Sequence, residues 1–96
     1  MAEVAVVAIS VAKPGHEEKL RKALVGIIGP TLKEQGALQY DLHRDVSEPR
    51  RFVFVERWES REALAAHAKS AHIAAYVEAV ADWVEHSEIR VIEKIA

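Results

Sequence analysis

The chain has 96 residues, half of them hydrophobic and 29% charged, with a formal net charge of −2 and no cysteine. This is enough globular sequence for a single domain over residues 1–96 and too little for two; the lack of cysteine excludes a disulfide framework, a thiolate nucleophile and a Cys-ligated metal, and fits a reducing cytoplasm. Basic residues are scattered apart from Arg50-Arg51, which argues against nucleic acid; no apolar run approaches the ~20 residues of a membrane span, and the N-terminus lacks the basic start and long apolar core of a secretory signal.

Residues 3–11 are rich in Val and Ile and short enough for a strand. One face carries Ala5, Val7, Ile9 and Val11, the other Val4, Val6, Ala8 and Ser10, so both faces expect cover. Pro14-Gly15 turns the chain. A helix is expected over residues 16–35, where Leu20, Ala23, Leu24, Ile27 and Ile28 recur at helical spacing, with Glu17 and Glu18 in the first turn. Pro30 conflicts with it, because it cannot donate to the Gly26 carbonyl, and a kink is expected there. Gly36 is the expected stop.

Residues 37–45 alternate, with Leu38, Tyr40 and Leu42 against Gln39, Asp41 and His43, as in a half-buried strand. A turn at Ser47-Glu48-Pro49 leads to a strand over 51–58, with Phe52, Phe54, Glu56 and Trp58 on one face. The short link makes the pair an antiparallel hairpin. Ser60 is a good N-cap for a helix over 61–69, and Ser70 is expected to break it and cap a second segment over 71–84. There Ile73, Val77, Val80 and Val84 form a stripe, with Tyr76 and Trp83 beside it. A last strand is expected over 88–95. The order β-α-β-β-α-β is the α+β, ferredoxin-like plan, with two helices covering one face of an antiparallel sheet. The other face carries apolar side chains with nothing in the chain left to cover it, so a homodimer through the sheet faces is expected.

Several residues can carry chemistry. His67 and His72 are five apart; on one unbroken helix they point to different faces, whereas a break at Ser70 lets both reach one cleft. Imidazole suits proton transfer near neutral pH, and the plain alternative is that one histidine bonds the helix break while the other is solvated. A metal site would need Asp41, His43 or Glu56 brought in by the fold, and none is assigned. Glu56, among aromatics, either faces a polar pocket as an acid or base or pairs with Arg44, Arg57 or Arg90. Tyr76 and Trp83 are either core or the wall of an aromatic-ligand pocket. A Gly-rich phosphate loop, a GxSxG elbow and an HExxH pair are all missing.

Taken in order, Lys13-Pro14-Gly15, the run Glu34-Gln35-Gly36-Ala37-Leu38-Gln39-Tyr40, the run from Arg51 through Phe52, Glu56 and Trp58 to Ser60, and Ala66-His67-Ala68-Lys69-Ser70-Ala71-His72 resemble the antibiotic biosynthesis monooxygenase (ABM) family over nearly the whole chain. The resemblance implies a dimeric α/β barrel that oxidises a small quinol or phenolic aromatic with O2, often without metal or flavin, so no cofactor is expected. On that scheme an electron-rich substrate, once deprotonated, reduces oxygen itself, and the protein supplies a cavity, orientation and a proton acceptor. The resemblance assigns the proton to His67 or His72, an orienting role to Glu56, and the pocket wall to Trp58, Tyr76 and Trp83. Heme-degrading relatives use an Asn, a Trp and an axial His where this chain aligns Ala8, His67 and Val77, so heme breakdown is not expected. An isomerase on the same barrel, or a ligand-binding stress protein without catalysis, are the alternative readings.

Overall fold

A computed structural model describes residues 2–96. The order is β1 (Val4–Ala12), α1 (Glu17–Gly26), α2 (Ile28–Leu32), β2 (Ala37–Arg44), β3 (Arg51–Trp58), α3 (Arg61–Ala68), α4 (Ala71–Val80) and β4 (Val84–Ile92). The four strands form one sheet in the order β2-β3-β1-β4 with every neighbouring pair antiparallel. This is the expected α+β, ferredoxin-like fold.

The single first helix expected over 16–35 is two. α1 stops at Gly26, and α2 restarts at Ile28 with Pro30 as its third residue. First-turn amides have no intrahelical acceptor in any case, so a restart places the proline where its missing N–H costs nothing. The chain then leaves the helix at Lys33, and residues 33–36 form a loop ending at Gly36, whose φ is +88°. A Cβ at Gly36 would stand 2.5 Å from the Ala63 Cβ, so glycine serves both the left-handed backbone and a close approach to α3. The Glu59 amide donates to the Gly36 carbonyl at 2.9 Å, which ties this loop to the end of β3.

Ser60 caps α3 as expected, its Oγ accepting from the Ala63 amide at 3.1 Å. Ser70 breaks the helix but does not cap α4 through its side chain; its Oγ instead donates back to the His67 carbonyl at 2.7 Å. α4 ends at Val80, earlier than the expected 84, and β4 begins at Val84, earlier than the expected 88. The reason is pairing: β1 needs a partner along its length, and Ala12 lies opposite Val84. Val84 therefore belongs to the sheet, and Val77 is 58% exposed, so the four-residue stripe expected on this helix is not one buried stripe.

The core lies between the helices and one sheet face. Val4, Val6, Phe52, Phe54, Trp58 and Tyr40 meet Leu20, Leu24, Ile27 and Val80 there. The register places Val6 and Tyr40 on either side of Glu56, so that carboxylate sits within the apolar layer. Val7, Val55 and Val53 point to the opposite face, which no helix among the described residues covers. The molecule's smallest extent is 18 Å, the thickness of one helix layer on one sheet.

Candidate active site

Three polar side chains converge where α2, α3 and α4 meet above the sheet. His67, on α3 and only 7% exposed, places Nδ1 2.6 Å from Oε1 of Glu34 in the loop after α2. His72, on α4, places Nε2 3.5 Å from the same oxygen and 3.0 Å from Oγ1 of the fully buried Thr31. On a continuous helix two residues five apart differ in direction by roughly 140°. The extended backbone at Ser70 (φ −66°, ψ 152°) removes that constraint and lets both histidines address one carboxylate.

Trp58 supports this corner from below. It has no exposed surface, its ring centroid lies 4.6 Å from that of His67, and its Nε1 donates to Glu56 Oε1 at 2.9 Å. Tyr40 stacks on Phe54 at 4.2 Å and meets the His67 ring edge-on at 5.5 Å. Packed rings on two sides hold the imidazole in one plane. Ionised Glu34 can only accept, so the neutral His67 ring carries its proton on Nδ1 and keeps its lone pair on Nε2.

A cavity of about 460 Å³ opens beside these groups, walled mainly by Leu24, Ile27, Phe54, Ile73, Tyr76 and Val80, with Glu56, His67 and Tyr40 among its lining. The size and the few polar groups in an apolar wall suit a small organic molecule. Burial pushes the Glu56 carboxyl up to about 7, with the Trp58 hydrogen bond acting in the opposite direction. Burial also raises the Tyr40 hydroxyl, helped by the charge of Glu56 and opposed by the Thr31 side chain. The Tyr76 hydroxyl is raised by burial and lowered in part by Ser10.

The residues singled out in the sequence divide into three groups. His67, Glu56 and Tyr76 line the cavity. His72 and Trp58 stand behind its wall, one bonded to Thr31 and the other beneath His67, so Trp58 acts through Glu56 and His67 rather than as a pocket wall. Trp83 is away from the site: α4 ends before it, and its ring lies under the Lys19 ammonium at 5.8 Å. Glu56 makes no pair with Arg44, Arg57 or Arg90, since Arg44 lies over Phe52, Arg57 bonds Glu3 and Gln39, and Arg90 meets Glu88. Asp41 and His43 sit on the far side of β2 from Tyr40 and cannot join the two histidines. Glu34 and Thr31 are the residues that spacing did not reveal; each is remote in sequence from the histidine it meets.

The profile of the family described as "Antibiotic biosynthesis monooxygenase" matches residues 4–79. The chain belongs to the antibiotic biosynthesis monooxygenase family. It is a monooxygenase by class, and its ABM profile spans Glu34, the Glu56–Trp58 pair and both histidines. The Escherichia coli protein named "Probable quinol monooxygenase YgiN" is 33% identical over 91 residues, covering 84% of this chain and 88% of its own. Among solved structures, PA3566 from Pseudomonas aeruginosa superposes with a TM-score of 0.95 at 28% identity, covering 100% of this chain and 97% of its own. Rv0793 from Mycobacterium tuberculosis gives a TM-score of 0.92 at 30% identity, covering 99% and 97%. The fold match thus extends over every segment that builds the cavity, and the family profile over all of them except the end of α4 and β4.

Proposed function

We propose that this ABM protein oxidises a small quinol or phenolic aromatic with O2, without metal or flavin. The observation that carries the reading is the carboxylate-held imidazole of His67 in the wall of an apolar cavity. A quinol hydroxyl at Nε2 would give up its proton to the ring, and Glu34 would stabilise the imidazolium that results. The quinolate is a far stronger reductant than the quinol. One electron passes to O2, the two radicals join to a hydroperoxide, and loss of water leaves the hydroxylated quinone. One O2 is consumed, one oxygen atom stays in the product and the other leaves as water. The protein supplies orientation, a dry apolar wall and one proton acceptor. Glu56, whose carboxyl burial pushes up to about 7, lines the same cavity and would exchange a hydrogen bond with the substrate. The uncovered sheet face supports a homodimer, because Val7 and Val55, directly paired, would otherwise keep part of their apolar surface open to solvent.

The test is oxygen consumption by metal-stripped protein with a panel of quinols, menadiol among them, corrected for autoxidation. Protein-dependent uptake that survives chelator is expected, and His67→Ala lowers it about a hundredfold or more with the fold intact. Absence of uptake across the panel would move the assignment to ligand binding or isomerisation on the same barrel.

A further inference from the structure

The corner that holds His67 has a second chemical capacity. Glu34, His67 and His72 each present one donor atom, and these three atoms lie within 4.8 Å of one another. We propose that they form a binding site for one divalent transition-metal ion of the zinc type.

The donor set is the first argument. Two imidazoles and one carboxylate are borderline ligands that suit zinc, cobalt or iron(II), whereas magnesium and calcium take oxygen. The placement is the second. The three side chains come from a loop and two different helices, and the break at Ser70 is what brings the second imidazole in. The Trp58 ring against His67 fixes the plane of one ligand in advance.

The distances are the third argument. Metal–ligand bonds of 2.0–2.1 Å in a tetrahedral site put neighbouring donors about 3.3 Å apart. The Glu34–His72 separation is 3.5 Å, and the Glu34–His67 separation is 2.6 Å because a proton is shared there. Replacing that proton by the ion needs Glu34 Oε1 to withdraw by less than about 1 Å, a rotation open to a side chain on a loop, and the two imidazole nitrogens, now within 4.8 Å, to reach the same spacing. The Thr31 hydroxyl gives up its contact with His72 Nε2 in the same exchange. An ion so held displaces the Nδ1 proton, so the neutral His67 ring then carries its proton on Nε2, and both the Nε2 lone pair and the Glu34 carboxylate that the proton acceptor needs are lost. Metal and quinol turnover therefore exclude each other; this consequence rests on the proposed function, whereas the binding does not.

The experiment is a titration of tag-free, chelator-treated protein with Co2+, followed by visible absorption, and with Zn2+ by calorimetry. One equivalent per chain is expected, with cobalt ligand-field bands of a nitrogen–oxygen site of low coordination number. Glu34→Gln and His72→Ala each weaken binding at least about tenfold, the scale on which even outer-shell partners act. His86→Ala, which removes the exposed histidine beside Glu88, leaves it unchanged. The His72 side chain is 24% exposed and sits at the edge of the core, so its variant is expected to fold, and circular dichroism checks this. A cobalt spectrum that never saturates, affinity unaltered by both Glu34→Gln and His72→Ala, or loss of binding in His86→Ala would overturn the proposal. These readouts need no substrate, so they stand whether or not any quinol is oxidised. If turnover is observed, Zn2+ suppresses it in step with occupancy.

Discussion

Glu56 stands on β3 between Phe54 and Trp58, opposite Val6 on one side and Tyr40 on the other. Burial there works against its charge and lifts its pKa from 4.5 to about 7. A carboxyl whose folded pKa is raised favours the fold in its neutral form. That contribution is complete below about pH 4.5 and is lost as the pH rises through about 7. Urea titrations at pH 5 and pH 8 are therefore expected to show a loss of stability on the order of 3 kcal/mol at most, and the loss disappears in Glu56→Gln. An equal pH slope in both proteins would show that Glu56 does not ionise in this range. Glu34→Gln keeps the shape of the carboxyl but removes the charge that stabilises a His67 imidazolium. Its kcat is expected to fall about tenfold or more with KM little changed, read from oxygen uptake. The two cavity groups with strong chemistry, His67 and Glu56, were legible in the sequence because their types and neighbours are unusual there. Glu34 was not, because nothing local distinguishes it from the other acids of an amphipathic helix. Its significance comes only from a contact across 33 positions of chain.

At the scale of elements, the breaks matter more than the helices. The sequence showed both conflicts, Pro30 and Ser70, but not how each resolves. A kinked helix and a restarted one read alike in hydrophobic spacing, and only the restart frees residues 33–36 to form the loop that delivers Glu34. The start of β4 was misplaced because Val84 fits both a helical stripe and an alternating strand. Pairing with β1 decided between them. The loop is held by Gly36, and Gly36→Ala meets both the φ of +88° and the Ala63 Cβ. A destabilisation of about 2 kcal/mol is expected in thermal or urea melts. If the variant stays folded, oxygen uptake falls with it, since α3 carries His67. Ser60→Ala, which removes only the α3 cap, is expected to cost about 1 kcal/mol without that larger effect. Equal stability of the two variants would mean that the loop tolerates a shift of α3.

At the scale of the molecule, the proposed reading gives the helix-covered face the chemistry and the bare face the assembly. Val7 and Val55, paired across the centre of the bare face, are the place to test the second. If the bare face is the proposed dimer contact, Val7→Lys or Val55→Lys is expected to give monomers in sedimentation velocity where the parent chain gives dimers, while leaving the circular dichroism of the fold intact. An unchanged sedimentation coefficient would locate any subunit contact elsewhere. The strand order has a kinetic consequence as well. β1 is central, yet its partners are β3 and β4, and Ala5 pairs with Arg57 on one edge and Ile92 on the other. The hairpin of β2 and β3 can close locally; β1 cannot. During synthesis β1 leaves the ribosome before either of its partner strands, and its second edge stays open until β4 has been made. In that interval it is an unpaired, apolar strand. A nascent chain stalled before residue 84 should therefore be the species that chaperones capture.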